Sequence, residues 1–372
     1  MTSAGLRVAV ATPSYPPELG GLGVHVRALA AALAGEGCDT TVLTQVRAPH
    51  AHGDQTRVDG DLRVVGFPSR LGGRRFGYAP GLRRYARTHA ASFDVVHAFS
   101  YHAPVALALS GATDAPMFFS PVFHAGGHSA LARAAHLAYR PAAARVFRRA
   151  EGILCSSHAE REDVVRLYPF CASWATVIPI AVDPHRYDGV EPFAVDRPVV
   201  LSACRLDRYK GVDVLVRAMQ TVEGATLVVT GVGPEEQPLR ELVTSLGLEG
   251  RVEVLGDVSD ADLRRWQRTA TVVASLSTRE SFGLSLAEGI VAGAAIVASD
   301  IPAHREMAQS LGASPRFVIP GATDGDVAAA LLEGLSRGRP GPPTGPIRAW
   351  SDVARDTIGV YVAALQHPRG RR

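Results

Sequence analysis

Short apolar runs alternate with amphipathic stretches along most of this chain. In the first half the runs are Arg7–Ala11, Thr40–Thr44, Leu62–Phe67, Val95–Ala98, Met117–Ser120, Gly152–Cys155 and Ala175–Ile178. They have strand length and are rich in β-branched residues, so they predict strands. Val24–Ala34 and Leu131–Arg149 between them carry the helical period. Strands separated by helices predict parallel sheets built from βαβ units. The rhythm stops from Ile180 to Pro198, where Pro184, Pro192 and Pro198, with Pro179 just before them, sit among scattered charges, and this stretch predicts an interdomain linker. A second series follows at Val199–Ala203, Ala225–Thr230, Val252–Leu255, Thr271–Ser275 and Ala295–Ser299. The breakers of Gly338 to Pro346 then precede a last helical pattern from Ile347 to Leu365.

A chain of 372 residues exceeds the usual size of one core. The expected organisation is an α/β protein of two doubly wound domains, 1–183 and 184–345, with a closing helical segment at 346–372. Ligands of open α/β sheets bind at the carboxyl ends of the strands. Two such domains facing each other predict a cleft that takes one substrate from each side.

Composition narrows the function classes. The chain is 47% hydrophobic and 20% charged, as a globular protein is, and its net charge of +3 excludes a nucleic-acid footprint over the whole surface. Residues 1–185 hold 18 arginines against 13 acids, and Arg70, Arg74, Arg75, Arg83, Arg84 and Arg87 cluster. Such a patch suits an anionic acceptor or an anionic membrane surface, although most basic runs are solvated faces. Cys38, Cys155, Cys171 and Cys204 are dispersed, with no disulfide framework and no zinc spacing. Neither a signal-peptide core after Met1 nor an apolar run of about 20 residues is present. The expectation is a cytoplasmic protein, with peripheral contact at the inner membrane face left open and the oligomeric state unspecified.

The candidate chemistry starts from a rarity. Of 39 basic residues only Lys210 is a lysine, and asparagine is absent, as in a chain encoded by a GC-rich bacterial genome. A lysine retained against that drift supplies what arginine does not, a compact charge on a flexible stem. Arg205 and Lys210 lie five apart after the run Val199–Ala203, where two cations can meet a pyrophosphate. Charge-assisted hydrogen bonds of this kind are worth roughly 1.5–3 kcal/mol each. The loop from Pro16 to His25, with Gly20, Gly21 and Gly23, follows the first strand and opens a helix, where backbone amides can meet a phosphate. A dinucleotide fingerprint fits it poorly: counted from Gly21 the third glycine falls on Val26, and the second strand ends at Gln45 without an acid. Gly231 and Gly233 follow another strand, where small residues allow backbone to approach a ligand.

The segment from Glu280 to Gly289 is more specific. Its glutamates, Glu280 and Glu288, are eight apart, with Phe282, Gly283, Leu284 and Ser285 at the mouth of a predicted helix and Glu288 about two turns inside it. One carboxylate can grip ribose hydroxyls and the other a sugar, while the amides between them face a diphosphate. Three Asp-x-Asp triplets, at Asp59, Asp260 and Asp324, offer a metal-site alternative. The first sits in a turn and the others at helix starts, where aspartate serves as a cap.

In their order and spacing these motifs resemble the retaining glycosyltransferases of family 4, the glycosyl transferases group 1. That resemblance implies a GT-B fold, two Rossmann-like domains facing an interdomain cleft, over nearly the whole chain. It implies that Arg205 and Lys210 hold the donor diphosphate, Glu288 the ribose and Glu280 the donor sugar. Phe282, Gly283, Leu284 and Ser285 would line the diphosphate and sugar, with Gly231 in the same donor site, and Gly21 would approach from the other domain. Ser120 to His128 looks like the family's histidine loop, which makes His124 the residue expected to touch the sugar; His97 and His102 are further candidates. The chain departs from the family at Ile178-Pro-Ile-Ala-Val-Asp183, where an asparagine and a glycine are common. The implied activity moves a hexose-type sugar from a nucleoside-diphosphate donor, UDP before GDP, to the hydroxyl of a small-molecule, glycan or lipid-linked acceptor. It implies no metal and no cofactor beyond the sugar nucleotide as co-substrate. A silent sugar-nucleotide-binding protein, an epimerase or a phosphorylase on the same fold is the alternative.

Overall fold

A computed structural model describes residues 5–17, 20–47, 54–69, 77–124 and 130–369. Met1 to Ala4, the loop residues Glu18 and Leu19, the arginines Arg70, Arg74 and Arg75, and Ala125, Gly126, Gly127 and His128 lie outside the described residues. The chain divides into two compact units, Met1–Ala181 with Arg348–Arg372, and Val182–Ile347. The boundaries expected from sequence were 183/184 and 345/346.

The first unit contains β1 (Arg7–Thr12), β2 (Asp39–Arg47), β3 (Gln55–Asp59), β4 (Leu62–Ser69), β5 (Val95–Phe99), β6 (Met117–Ser120), β7 (Ala150–Cys155) and β8 (Ala175–Val177). Its helices are α1 (Gly21–Gly35), α2 (Pro80–Thr88), α3 (Val105–Ser110), α4 (Ala130–Arg149) and α5 (His158–Leu167). The sheet order is β3-β4-β2-β1-β5-β6-β7-β8, parallel except for β3 against β4. Neighbouring residues of β1 feed opposite faces. Ala9 and Ala11 join one buried cluster with Phe67, Phe119 and Phe147, and Val8 and Val10 join another with Leu33, Phe99 and Phe118. Burial on both faces explains why these strands are continuous apolar runs. The edge strand β3 was not expected from the sequence: four of its five residues are exposed, so it has no apolar run.

The second unit holds β9 (Val199–Ala203), β10 (Thr226–Thr230), β11 (Val252–Gly256), β12 (Val272–Ser275), β13 (Ala295–Ser299) and β14 (Arg316–Val318). Its helices are α6 (Val212–Ala218), α7 (Glu236–Ser245), α8 (Asp260–Thr269), α9 (Leu284–Val291), α10 (Pro302–Ser310) and α11 (Asp324–Arg337). The order β11-β10-β9-β12-β13-β14 is parallel throughout. Strand order reverses between β9 and β12, the place where open sheets bind ligands.

The last helix, α12 (Trp350–Gln366), belongs to the first unit, where it packs along α1 and buries Val353, Ala354, Ile358 and Tyr361. Among the described residues no helix is long and apolar enough to cross a membrane.

Candidate functional site

The two strands at the reversal in the second unit carry the cations and acids expected from sequence. After β9 the chain makes a short 3-10 turn, Arg208–Lys210, and enters α6 through Gly211 at φ 66°. A Cβ on Gly211 would lie 2.9 Å from the Leu276 side chain and 3.0 Å from its carbonyl oxygen, so glycine lets this turn press against the loop after β12. Thr278 N donates to Tyr209 O at 3.0 Å across the same junction. Lys210 Nζ reaches Glu280 Oε1 in an ion pair whose side chains are 12% and 17% exposed. Burial alone would depress the Lys210 ammonium, but Glu280, with Tyr209 and Cys204, outweighs it and holds the group above its ordinary value. An ammonium has three donors, so one bond to Glu280 aims the group and leaves capacity for an anion. Arg205 is ion-paired with Asp207, two residues on.

Gly231 and Gly233 have a structural job in this loop. A Cβ on Gly231 would stand 1.9 Å from Cys204 O, and one on Gly233 would stand 2.2 Å from Leu206 O. Leu206 N donates to Val232 O and Cys204 N to Thr230 O, both at 3.1 Å. The glycines therefore let the β10 loop lie directly on the backbone that carries Arg205.

The segment after β12 ends in Gly283, at φ 101°, the N-cap of α9 with no side-chain cap. First-turn amides of a helix have no intrahelical partners, and an anion is favoured there. Leu284 and Ser285 open this helix, and Phe282 before it is 6% exposed. Because α9 begins at Leu284, Glu288 lies about one turn inside it, a correction to the two turns expected from sequence. The loop is braced from behind by a residue the sequence did not reveal. His304, fully buried on α10, directs Nδ1 to Ser299 O at 2.9 Å, and its Cδ2 would be 3.0 Å from a Cβ on Gly283. Ser299 Oγ in turn donates to Ser277 O. Burial holds His304 below its ordinary value, so the ring is neutral.

Glu288 is 7% exposed and both its oxygens are engaged. Arg186 Nη1 donates to Oε1 at 2.9 Å and Gln267 Nε2 to Oε2 at 2.9 Å. The other end of the Arg186 fork reaches Asp260 at 2.7 Å, and the Tyr187 hydroxyl donates to Gln267 Oε1 at 2.8 Å. Burial pushes the Glu288 carboxyl up, and Arg186 and Gln267 pull against that. Each oxygen accepts one hydrogen bond and keeps a further lone-pair direction, an arrangement able to receive a vicinal diol. Arg186 and Tyr187 belong to the stretch expected to be an interdomain linker. There Pro184–Tyr187 forms a 3-10 turn capped by Asp183, whose side chain accepts from His185 N.

In the first unit, Gly21 is exposed at the start of α1. His102 and His124, on the loops after β5 and β6, come together with ring centroids 5.0 Å apart. His97 does not join them. It is 1% exposed in the core, with Nδ1 2.6 Å from Tyr361 Oη and Nε2 2.9 Å from Ser120 Oγ, and burial pushes it down to about 3. Its strand is buried on both faces, so a strand-end histidine there is a core residue.

The Asp-x-Asp triplets are occupied by other partners. Asp59 accepts from Tyr15 and Arg27, Asp260 pairs with Arg186 and Arg264, and Asp324 pairs with Arg217. The caps of α8 and α11 are Ser259 and Thr323, with Asp262 and Asp326 one turn in as their reciprocal partners. Among the described residues no group of three or more His, Cys, Asp or Glu is arranged to hold a metal ion.

Comparison with known proteins gives this geometry a family. Residues 185–339 match the model for glycosyl transferases group 1, and residues 19–186 match that for glycosyltransferase family 4. A D-inositol 3-phosphate glycosyltransferase of Xylanimonas cellulosilytica is 29% identical over 76% of this chain and 76% of its own length. Among solved structures, sucrose-phosphate synthase from Thermosynechococcus elongatus superposes with a TM-score of 0.73 at 18% identity, covering 96% of this chain and 94% of that one. HepE of Anabaena, solved with UDP-glucose, gives 0.66 at 18% identity and 97% of both chains. With the two family models together spanning residues 19–339 and both parallel sheets in GT-B form, the chain belongs to glycosyl transferases group 1, family 4, and is a glycosyltransferase.

Proposed function

We propose that this glycosyltransferase transfers a hexose from a nucleoside diphosphate to an acceptor hydroxyl with retention of anomeric configuration, and that the donor base is uracil. The observation that carries the reading is the Lys210–Glu280 ion pair beside the uncapped start of α9, at the strand reversal of the second sheet. Lys210 and Arg205 meet the diphosphate as negative charge grows on the leaving oxygen. Preorganised cations and helix amides stabilise that charge without reorganisation. Glu280 receives a hydroxyl of the sugar and Glu288 the ribose diol, and His124 is assigned to the sugar by its place in the histidine loop. The departing phosphate accepts the acceptor's proton on the face where the new bond forms. The cations and the helix terminus meet the diphosphate charge, so no metal is called for; transfer should persist in a chelator such as EDTA. UDP is favoured because HepE, of the same fold, holds UDP-glucose. A polyol phosphate is the first acceptor to try, given the name of the Xylanimonas relative.

The test is thermal stability with UDP, GDP, ADP, TDP and CMP, on wild type and Lys210→Ala. A nucleotide at 100 times its Kd stabilises by about 2.7 kcal/mol, which is a shift of several degrees. The expected result is a shift with UDP that Lys210→Ala loses, together with a fall of about 100-fold or more in kcat/KM. An unchanged kcat/KM in Lys210→Ala would remove the diphosphate assignment, and a shift with GDP alone would replace the base.

A further inference from the structure

The donor reading leaves one buried acid of the first unit without a role. Glu160, in the first turn of α5, is 1% exposed. Its Oε1 accepts from the Phe123 amide at 2.6 Å, and its Oε2 accepts from the Ser156 amide at 2.7 Å and from Ser156 Oγ at 2.6 Å. Spacing makes it the third residue after the cap Ser157, whose Oγ accepts from Glu160 N at 3.0 Å. A glutamate at that position normally reaches back to its own helix start from the surface. Here the carboxylate is carried inward, onto a loop 37 residues away in sequence. The groups acting on it are hydroxyl, backbone amides and the like-charged Asp163, with no cation among them.

The loop it grips is strained. Val122, immediately before Phe123, has φ 47°, an uncommon conformation for a β-branched residue. Ser100, after β5, has φ 77°. The two loops are tied together by Ser100 N to Ser120 O at 3.0 Å and Tyr101 N to Pro121 O at 2.6 Å. Strained backbone persists only where its surroundings over-determine it, and it clusters at functional sites. Glu160 supplies that determination at Phe123, the residue before His124, and Phe123 stacks with His102 at 6.1 Å between ring centroids.

We propose that Glu160 is a positioning residue for His124: its carboxylate fixes the Phe123 amide, and so the strained loop that presents the His102–His124 pair, and it acts on turnover through His124. The proposal rests on the reading of His124 as a sugar-contacting residue. It has a pH signature. Burial pushes the Glu160 carboxyl up to about 7, against the hydrogen bonds from Ser156 and the two backbone amides. A protonated carboxyl turns one oxygen into a donor and a weaker acceptor, so it holds the two amides and the Ser156 hydroxyl less firmly than the carboxylate does. The titratable groups acting with it are Asp163 on its own helix and Cys155 at the end of β7; the loop it holds carries His124, which meets His102.

The experiment measures hydrolysis of UDP-glucose and GDP-mannose from pH 5.5 to 8.5, on whichever the wild type turns over. The proteins are wild type, Glu160→Gln, Ser156→Ala, His124→Ala and the Glu160→Gln/His124→Ala double variant. Glu160→Gln should lower kcat by about 10–100-fold, as misplacement of a reacting group does, with the donor KM within about twofold. The double variant should be no slower than His124→Ala. Wild-type kcat should fall as pH drops through about 7, and Glu160→Gln should lack that limb. Ser156→Ala removes one donor to the carboxylate and should move the limb to higher pH, which keeps the test alive if Glu160→Gln does not fold. The same fold-loss from Glu160→Gln with and without His124, or a limb that Ser156→Ala leaves in place, overturns the proposal. Full activity in His124→Ala would instead remove the histidine reading on which it stands.

Discussion

Glu160 and Glu288 are both almost fully buried glutamates near helix starts, one in each unit, and they are held in opposite ways. Glu288 faces the Arg186 guanidinium and the Gln267 amide. Glu160 faces a hydroxyl and two backbone amides. Burial raises the carboxyl in both, but only one has a counter-ion drawing it back. A carboxylate paired with arginine is drawn toward its charged form against the cost of burial. A charge held by dipoles alone can be switched off by a proton. The donor-side acid has a counter-ion opposing the effect of its burial, and the loop-side acid has hydroxyl and amide dipoles.

The contrast breaks most visibly at Arg186. Arg186→Ala leaves Glu288 buried without its cation, and removing one partner of a buried pair costs about 3 kcal/mol or more. Urea denaturation should show that loss, and Arg186→Ala/Glu288→Gln should recover at least half of it; no recovery would mean that Arg186 stabilises through Asp260 or packing. Next comes the pH dependence of stability. The folded state holds the Glu160 proton up to about pH 7, above the ordinary 4.5. Between those values the folded state binds more protons than the unfolded one, so stability falls as pH rises through the window. The contribution to the slope is at most about 1.4 kcal/mol per pH unit. Urea midpoints from pH 4.5 to 8 should show this term in wild type and not in Glu160→Gln. A third effect has the opposite sign. Burial pushes His25 down to about 4, below its ordinary 6.5. Its unfolded form takes the proton first, and stability falls as pH drops from 6.5 toward 4. His25→Phe should flatten that acid-side fall, and an unaltered fall would assign it to His97.

The fold was legible because its buried strands are apolar on both faces, so each appears in the sequence as an uninterrupted run. The exposed edge strand β3 and the three-residue β14 carry no such run. Lys210 was legible by rarity, and Glu280 with Glu288 by spacing. Arg186 was hidden because its partner is 102 residues away and its own neighbourhood is proline-rich and aperiodic. Glu160 was hidden by local grammar: three residues after a serine cap, an acid has a sufficient explanation on the surface. His97 misled for the converse reason, since strand-end position does not distinguish a loop-facing ring from one bonded to Tyr361.

The return of α12 to the first unit affects how this protein is made. The second unit, Val182–Ile347, is an insertion within the chain of the first. Tyr361, which is fully buried and reaches His97, is synthesised only after the whole of the second unit. Domains usually fold in the order of their synthesis, at about 5–20 residues per second. Here the second unit has its whole sequence available first, while one face of the first sheet waits for α12. A nascent chain stalled after Ile347 would carry a completed second unit and a first unit with the α12 side of α1 uncovered, which makes that surface the natural place for a chaperone to act during synthesis.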